Sequence, residues 1–139
     1  MPKIYMTNRL FALFLVPTLF VFTGCGDPSV SGTVTFSDGT PLSMGTVCFE
    51  KEGENFVGYG ELRSNGVYSM GKARDGEGLP PGDYLVYVRG AIRQEMGPTG
   101  PYSIPLISEK YTSPTSSGLA CQVKGKTVFN FQVSKPGDE

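Results

Sequence analysis

The chain has 139 residues, a formal net charge of −1, and neither histidine nor tryptophan. Without histidine it cannot build Ser-His-Asp or Cys-His catalytic sets, and most zinc and non-haem iron sites are excluded, so no cofactor or metal is expected. The weakly acidic balance offers no basic face to nucleic acid, which is therefore not an expected partner.

The first 24 residues have the features of an export signal. Lys3 and Arg9 precede an uncharged apolar stretch at residues 10–22, which has the length of a signal h-region and is short for a membrane span. Pro17 would kink a permanent helix within this stretch. We therefore predict a signal peptide over residues 1–24, followed by a mature chain of one domain's length.

Small residues then lead into a cysteine, in the order Phe22-Thr23-Gly24-Cys25. This step resembles the lipobox of bacterial lipoproteins, although leucine is usual where Phe22 stands. The resemblance implies a lipid on Cys25 and a place in the cell envelope, attached to a membrane by acyl chains and facing the periplasm or the exterior. Multiple acylation would make that attachment stable. The alternatives are an ordinary secretory signal cleaved elsewhere and an N-terminal anchor that stays in place.

After a short tether at residues 25–29, alternating apolar and polar residues predict β-structure through residue 133. Val30, Val34 and Phe36 alternate with polar residues in the first strand, the pattern of a half-buried strand. Further strands are predicted over residues 46–50, 56–62, 67–70, 83–89, 119–124 and 127–133. Residues 134–139 form a polar tail.

Turn signals separate these strands. Asn65-Gly66 is the strongest hairpin signal, and Gly125-Lys126 predicts a hairpin between the last two strands. About seven short strands with turns between them predict an all-β fold, an antiparallel β-sandwich.

Residues 91–117 stand apart as a long loop with four prolines. Loops of this length are usually functional or disordered, and recognition residues often lie on loops. Arg89, Arg93, Tyr102 and Tyr111 are the candidate ligand-binding side chains. Alternatively, the apolar residues of the loop (Ile104, Leu106 and Ile107) cover the open end of the sandwich in a purely structural role.

Three motifs occur in a fixed order: GTVTFSDGTPLSMGTV at residues 32–47, NGVY at 65–68, and LPPGDYLV at 79–86. This ordered set resembles the carboxypeptidase regulatory-like domains, and the chain is similar to small bacterial lipoproteins of that transthyretin-like (prealbumin-like) class. The resemblance implies a fold rather than an activity. Hydroxyisourate hydrolases and intradiol dioxygenases, enzymes with related folds, depend on histidines that this chain lacks.

Two cysteines remain once Cys25 is set aside. An exported protein meets an oxidising compartment, so Cys48 and Cys121 are a possible disulfide. Cys48 lies between Val47 and Phe49, however, and its side chain must point away from theirs. A bridge therefore needs adjacent strands or a sheet edge; otherwise the two thiols are separate and buried.

We interpret the chain as a non-catalytic, lipid-anchored protein of the cell envelope with a binding or structural role. Its expected partners are a membrane, reached through the lipid, and an envelope protein or a glycan. The alternative is an accessory module that binds carbohydrate or peptide through residues 91–117. An unrecognised enzyme that uses carboxylates, lysine or tyrosine is a third hypothesis.

Overall fold

The computed structural model describes residues 26–138. The signal peptide at residues 1–24, Cys25 with its predicted lipid, and Glu139 lie outside the described residues. The strands are β1 (Val30–Phe36), β2 (Thr46–Lys51), β3 (Val57–Glu61), β4 (Val67–Ser69), β5 (Gly82–Arg89), β6 (Ile92–Gly97), β7 (Gly100–Pro105), β8 (Leu119–Val123), β9 (Thr127–Val128) and β10 (Phe131–Val133). A single turn of 3₁₀ helix covers Glu109–Thr112.

The fold is all-β, as predicted, and its strands form three sheets. One sheet has the order β3-β2-β5-β8 and is antiparallel throughout. A second sheet has the order β10-β1-β4, and β9 also pairs with β1. β6 and β7 form a separate two-stranded hairpin. The inner faces of the two larger sheets enclose one core, which is the arrangement of a β-sandwich.

The alternation of side chains along β5 explains which face of the β3-β2-β5-β8 sheet packs on the core. Tyr84, Val86 and Val88 are buried on the inner face, as the sequence pattern predicts. Phe49 of β2 lies beside Val86 in the register and packs its ring 6.4 Å from that of Tyr68 in the opposite sheet. Aromatic pairs at such distances add to the stabilisation that comes from burial alone.

The prediction that the last two strands form a hairpin is wrong. β8 pairs with β5, whereas β9 and β10 pair with β1 in the opposite sheet, and both pairings are parallel. Gly125-Lys126 therefore lies on a connection between the sheets. Phe131 and Val133 reach the core from the β1 side, so Cys121 and Val123 of β8 face them from the other side. A two-residue turn signal is local and cannot specify which sheet receives the next strand.

The turn at Asn65-Gly66 forms where the sequence predicts it. Gly66 has a positive φ of 77°, and the Asn65 side-chain oxygen accepts a hydrogen bond from the Val67 N–H at 3.2 Å. The segments on either side of the turn stay paired where the Arg63 N–H donates to the Val67 carbonyl and where Tyr59 bridges to Gly71. The strands themselves belong to different sheets, because β3 pairs with β2 while β4 pairs with β1. The turn thus passes the chain from one sheet to the other.

The prediction of one long loop over residues 91–117 is also wrong in its first half, which is the β6–β7 hairpin. Pro101 and Pro105 lie within β7, and prolines argue against a strand unless it is at an edge. The second half packs against the sandwich: Ile107 is 2% exposed, and the buried Ser117 hydroxyl donates to the Val86 carbonyl at 2.6 Å.

The two ends of the sandwich differ. At one end the chain enters the fold, where the Leu79 N–H donates to the Pro28 carbonyl and Asp27 forms an ion pair with Lys72. β5 starts near this end, and its eight residues extend roughly 25 Å. It finishes at the opposite end, beside the start of the β6–β7 hairpin. We call this opposite end the distal end.

Candidate functional site

A cavity lies at the distal end, where the β1–β2 connection, the base of the β6–β7 hairpin and the residues after β10 meet. It has a volume of about 310 Å³. Its apolar lining comes from Phe36, Pro41, Leu42, Met44, Pro105 and Leu106. Its charged lining residues are two cations, Arg93 and Lys135. We call this cavity the end pocket.

A tight turn after β1 shapes one wall of the end pocket. The Thr40 hydroxyl and N–H both donate to one carboxylate oxygen of Asp38, at 2.6 Å and 2.9 Å. These two hydrogen bonds, with a smaller contribution from Lys135, lower the pKa of the Asp38 carboxyl. Gly39 allows the turn because its φ is 84°. The chain then returns along β1, and the Leu42 N–H donates to the Val34 carbonyl.

Both cations of the end pocket are available to an incoming anion. The Lys135 ammonium lies 3.5 Å from Asp38 and 5.2 Å from the centre of the Phe36 ring. Arg93 uses its Nε to contact Glu95 at 2.9 Å, so its two terminal nitrogens have no partner among residues 26–138. The side chains of both cations are more than half exposed. Exposed ion pairs contribute little stability, and an anionic ligand can replace these partners.

A second groove, also of about 310 Å³, lies on the outer face of the β3-β2-β5-β8 sheet. Tyr59, Glu61, Thr46 and Arg89 line it above the buried Cys48. Burial raises the pKa of the Cys48 thiol to about 11, although the nearby Arg89 acts in the opposite direction. The thiol is therefore protonated at neutral pH and is a poor nucleophile. This groove can bind polar groups, but it carries no activated cysteine.

The four predicted ligand-binding residues do not form one site. Arg93 lines the end pocket, and Arg89 lines the outer-face groove. Tyr102 lies on the hairpin and donates its hydroxyl to Glu95 at 3.1 Å. Tyr111 lies on the 3₁₀ turn, partly buried against the core with Lys110 above its ring.

Sequence reasoning missed Lys135 and the apolar wall of the end pocket. Lys135 lies in the segment assigned only as a polar tail. Phe36 ends β1 and Met44 lies in the connection that follows, both about a hundred residues earlier in the chain. No local pattern links these segments, since their proximity depends on the unexpected parallel pairing of β10 with β1.

The structure does not bring Cys48 and Cys121 together. Both are buried free thiols. Cys48 lies on the outer face of β2 and Cys121 on the inner face of β8, and β5 runs between those strands. Two strand spacings are roughly 10 Å, whereas bridged cysteines need Cα atoms within about 7 Å. The arrangement therefore does not support the disulfide hypothesis.

Two features are absent from residues 26–138. No group of three or more Cys, Asp or Glu side chains in this part of the chain is placed to hold a metal ion. No helix in the same part is long and apolar enough to cross a membrane.

Comparison with known proteins adds little. No family model matches the chain, and no curated protein matches it. Among solved structures, a crystal structure of a 9R-lipoxygenase from Cyanothece PCC8801 is similar over 78% of this chain, with 15% identity and a TM-score of 0.39. The chain spans 16% of that protein's length. A likeness this low carries no argument about fold or function.

Proposed function

We propose that this protein is a non-catalytic, lipid-anchored binding domain of the cell envelope, and that its fold is the transthyretin-like sandwich of carboxypeptidase regulatory-like domains. The ordered motifs of residues 32–86 support the fold. The export signal and the Gly24-Cys25 step support the lipid and the location. The absence of histidine from the sequence supports a role without catalysis.

One observation carries the binding role: the end pocket joins an apolar lining to two exposed cations, Arg93 and Lys135. A ligand that fits it combines an apolar group with a carboxylate, and a peptide with a free C-terminal carboxylate has this chemistry. Binding sites of this kind place a few polar groups around a mostly apolar cavity. The partner is therefore proposed to be an envelope protein or peptide.

Peptide arrays test this binding role. The full-length chain in detergent micelles is applied to peptides that end in an apolar residue, each present with a free carboxylate and as the amide. Lys135→Gln should weaken binding to the carboxylate series by about tenfold, because a hydrogen bond to a charged group at a half-exposed site is worth about 1.5 kcal/mol, the lower end of the usual range. Lys126→Gln, on the connection at the other end of the sandwich, is the matched control and should have no effect. Equal binding of acids and amides would contradict the proposal.

A carbohydrate ligand is the second candidate. Tyr59 is 43% exposed and lines the outer-face groove with Glu61 and Arg89, where aromatic and polar groups together suit a sugar. A glycan array probed with the full-length chain and with Tyr59→Ala distinguishes the candidates. Binding that Tyr59→Ala removes and Lys135→Gln leaves intact would favour carbohydrate.

The lipid is tested separately. Wild-type protein should incorporate labelled palmitate in bacterial cells and fractionate with membranes. Cys25→Ser should lose the label and leave the membrane fraction. Absence of label on the wild-type chain would remove the lipid-anchored part of the proposal and leave the binding part open.

A further inference from the structure

The β6–β7 hairpin has two outer edges, and neither pairs with another strand among residues 26–138. An unpaired edge presents N–H and C=O groups that can pair with an added strand. Natural proteins usually block such edges with proline, charge or a covering element. The two edges of this hairpin differ in that respect.

The edge of β7 is closed by proline. Gly97 pairs with Gly100 across a two-residue loop, Met96 pairs with Pro101, and Ile92 pairs with Pro105. Backbone polar groups of an antiparallel strand point alternately to its partner and to its free edge. Pro101 and Pro105 have no N–H and take the positions that face the free edge. Two of the three outward donors of β7 are thus missing, and Ser103 supplies the third.

The edge of β6 is open. By the same alternation, Ile92, Gln94 and Met96 direct their backbone N–H and C=O groups outward, and none of these residues is proline. Their side chains share one face of the hairpin, where Ile92 is 45% exposed and Met96 is 81% exposed. Arg93 and Glu95 lie on the other face and contact each other. This edge therefore has free hydrogen-bonding groups and exposed apolar side chains.

We propose that β6 pairs antiparallel with β6 of a second copy of this chain, with Gln94 on the two-fold axis. In this register Arg93 of each copy lies directly across from Glu95 of the other, and Ile92 lies across from Met96. Two neighbouring registers also keep the outward backbone groups paired. In one of them Arg93 lies across from Arg93 of the other copy, and in the other Glu95 lies across from Glu95. Opposite charges across a ladder are favourable and like charges are not, so charge complementarity selects a single register.

The geometry matches a closed dimer. A two-fold axis uses the same surface on both copies and leaves no further site for growth, and the proline edges of β7 become the outer edges of a four-stranded sheet. The contact is five residues long on each strand, which is small against the roughly 1,200 Å² that stable interfaces bury. The dimer is therefore weak and depends on protein concentration. The inference shares Arg93 with the end pocket, but it does not depend on a ligand in that pocket.

Charge exchange tests the register. Sedimentation equilibrium of the full-length chain in detergent micelles measures the dimer dissociation constant. Arg93→Glu and Glu95→Arg should each weaken the dimer by about tenfold, since each sets like charges opposite one another twice. Mixing these two variants should restore dimers, because each Glu then faces an Arg, and the double variant should dimerise alone. Two weak single variants that do not recover on mixing would overturn the register.

Proline substitution tests the edge. Gln94→Pro removes an outward N–H from β6, and Ser103→Pro removes the corresponding N–H from β7. Both lose the same hydrogen bond between Gln94 and Ser103, which measures 2.7 Å, so they are matched in their effect on the hairpin. Gln94→Pro should abolish dimerisation and Ser103→Pro should preserve it. Equal behaviour of the two variants, or a monomeric wild-type chain at the highest attainable concentration, would overturn the proposal.

Lys135→Gln separates this proposal from the proposed function. It removes a cation of the end pocket and leaves β6 unchanged, so the dimer should persist when ligand binding is lost. Loss of the dimer in this variant would contradict pairing through β6.

Discussion

The Tyr68 hydroxyl donates to the Phe129 carbonyl at 2.5 Å, and so joins β4 to the segment after β9 across the intervening strand β1. The contact passes over Gly32, where a Cβ would lie 2.0 Å from the Phe129 oxygen and 2.7 Å from the Tyr68 oxygen. A glycine in β1 therefore makes room for a side-chain link between both neighbours of the strand. Burial raises the pKa of Tyr68 well above its usual range, so the hydroxyl stays protonated and able to donate.

Tyr68→Phe should lower the free energy of unfolding by about 1–3 kcal/mol, because the Phe129 carbonyl loses its partner inside the sheet. Urea denaturation measures the change. Tyr102→Phe removes an exposed hydroxyl from the hairpin and should change stability by less than about 0.5 kcal/mol. Equal effects at the two positions would mean that the link across β1 contributes nothing. Gly32→Ala should be more damaging than Tyr68→Phe, because it also forces the strands apart.

Ser117→Ala should destabilise the fold by about 1–3 kcal/mol, because it leaves buried polar groups without partners. The buried hydroxyl donates to the Val86 carbonyl and accepts from the Leu119 N–H at 3.2 Å. The neighbouring Ser116 is exposed and bonds only to the Lys110 carbonyl, so Ser116→Ala is the matched control. A thermal melt in which both variants match the wild type would show that residues 106–117 are not fixed to the sandwich by this contact.

Glu77 should make stability depend on pH. Its carboxylate accepts hydrogen bonds from the N–H groups of Ala73, Arg74 and Lys72, and these bonds lower the pKa of the carboxyl from its ordinary 4.5. A carboxyl whose pKa falls on folding contributes stability that is fully present above the unfolded value and is lost as the pH drops through the lower folded value.

The comparison of Glu77→Gln with the wild type at several pH values measures this contribution. The difference in unfolding free energy should be greatest above about pH 4.5 and should shrink below it. Glu52→Gln, at an exposed carboxylate with no hydrogen bond or ion pair among residues 26–138, is the matched control. A constant difference across the range would contradict the assigned role of the Glu77 carboxylate.

Cys48 and Cys121 should resist alkylation in the folded protein. Both thiols are buried, and burial raises the pKa of each, which lowers the fraction of reactive thiolate. Iodoacetamide at pH 8 should label neither thiol in the native protein and both after unfolding without a reductant. Recovery of an unlabelled, linked pair after such unfolding would show that the protein contains the bridge after all.

The strands whose pattern is local could be predicted from the sequence. Alternation identifies β5 with its inward Tyr84, Val86 and Val88, and the Asn65-Gly66 turn occurs at its predicted place. The destination of a strand after a turn could not be predicted, because it depends on which sheet has an open position. That uncertainty explains both the misassigned hairpin before β9 and the placement of β3 and β4 in different sheets.

The candidate site was less predictable than the fold. Arg93 was named among the candidate residues, but Lys135 reaches the same pocket only because β10 pairs in parallel with β1. The prolines of β7 indicated a loop, and only the pairing with β6 shows that they occupy an edge where the missing N–H groups have no ladder to break. The position of Lys135 and the edge position of the β7 prolines both depend on contacts between segments that are distant in the sequence, which no local pattern reveals.

The residues that lead into β1 are held against the domain, and this limits how far the domain could extend from a membrane. Only residues 26–29 separate Cys25 from β1, and the Pro28 carbonyl and the Asp27 carboxylate are already held by Leu79 and Lys72. If Cys25 carries the proposed lipid, this short connection would hold the domain close to the bilayer, with its distal end pointing outward. The distance from the bilayer that the domain reaches would then be set by the length of the sandwich, a few nanometres, and its lateral range by diffusion within the leaflet. Partners embedded in or resting on the same membrane would then be accessible to it, and structures farther away would not.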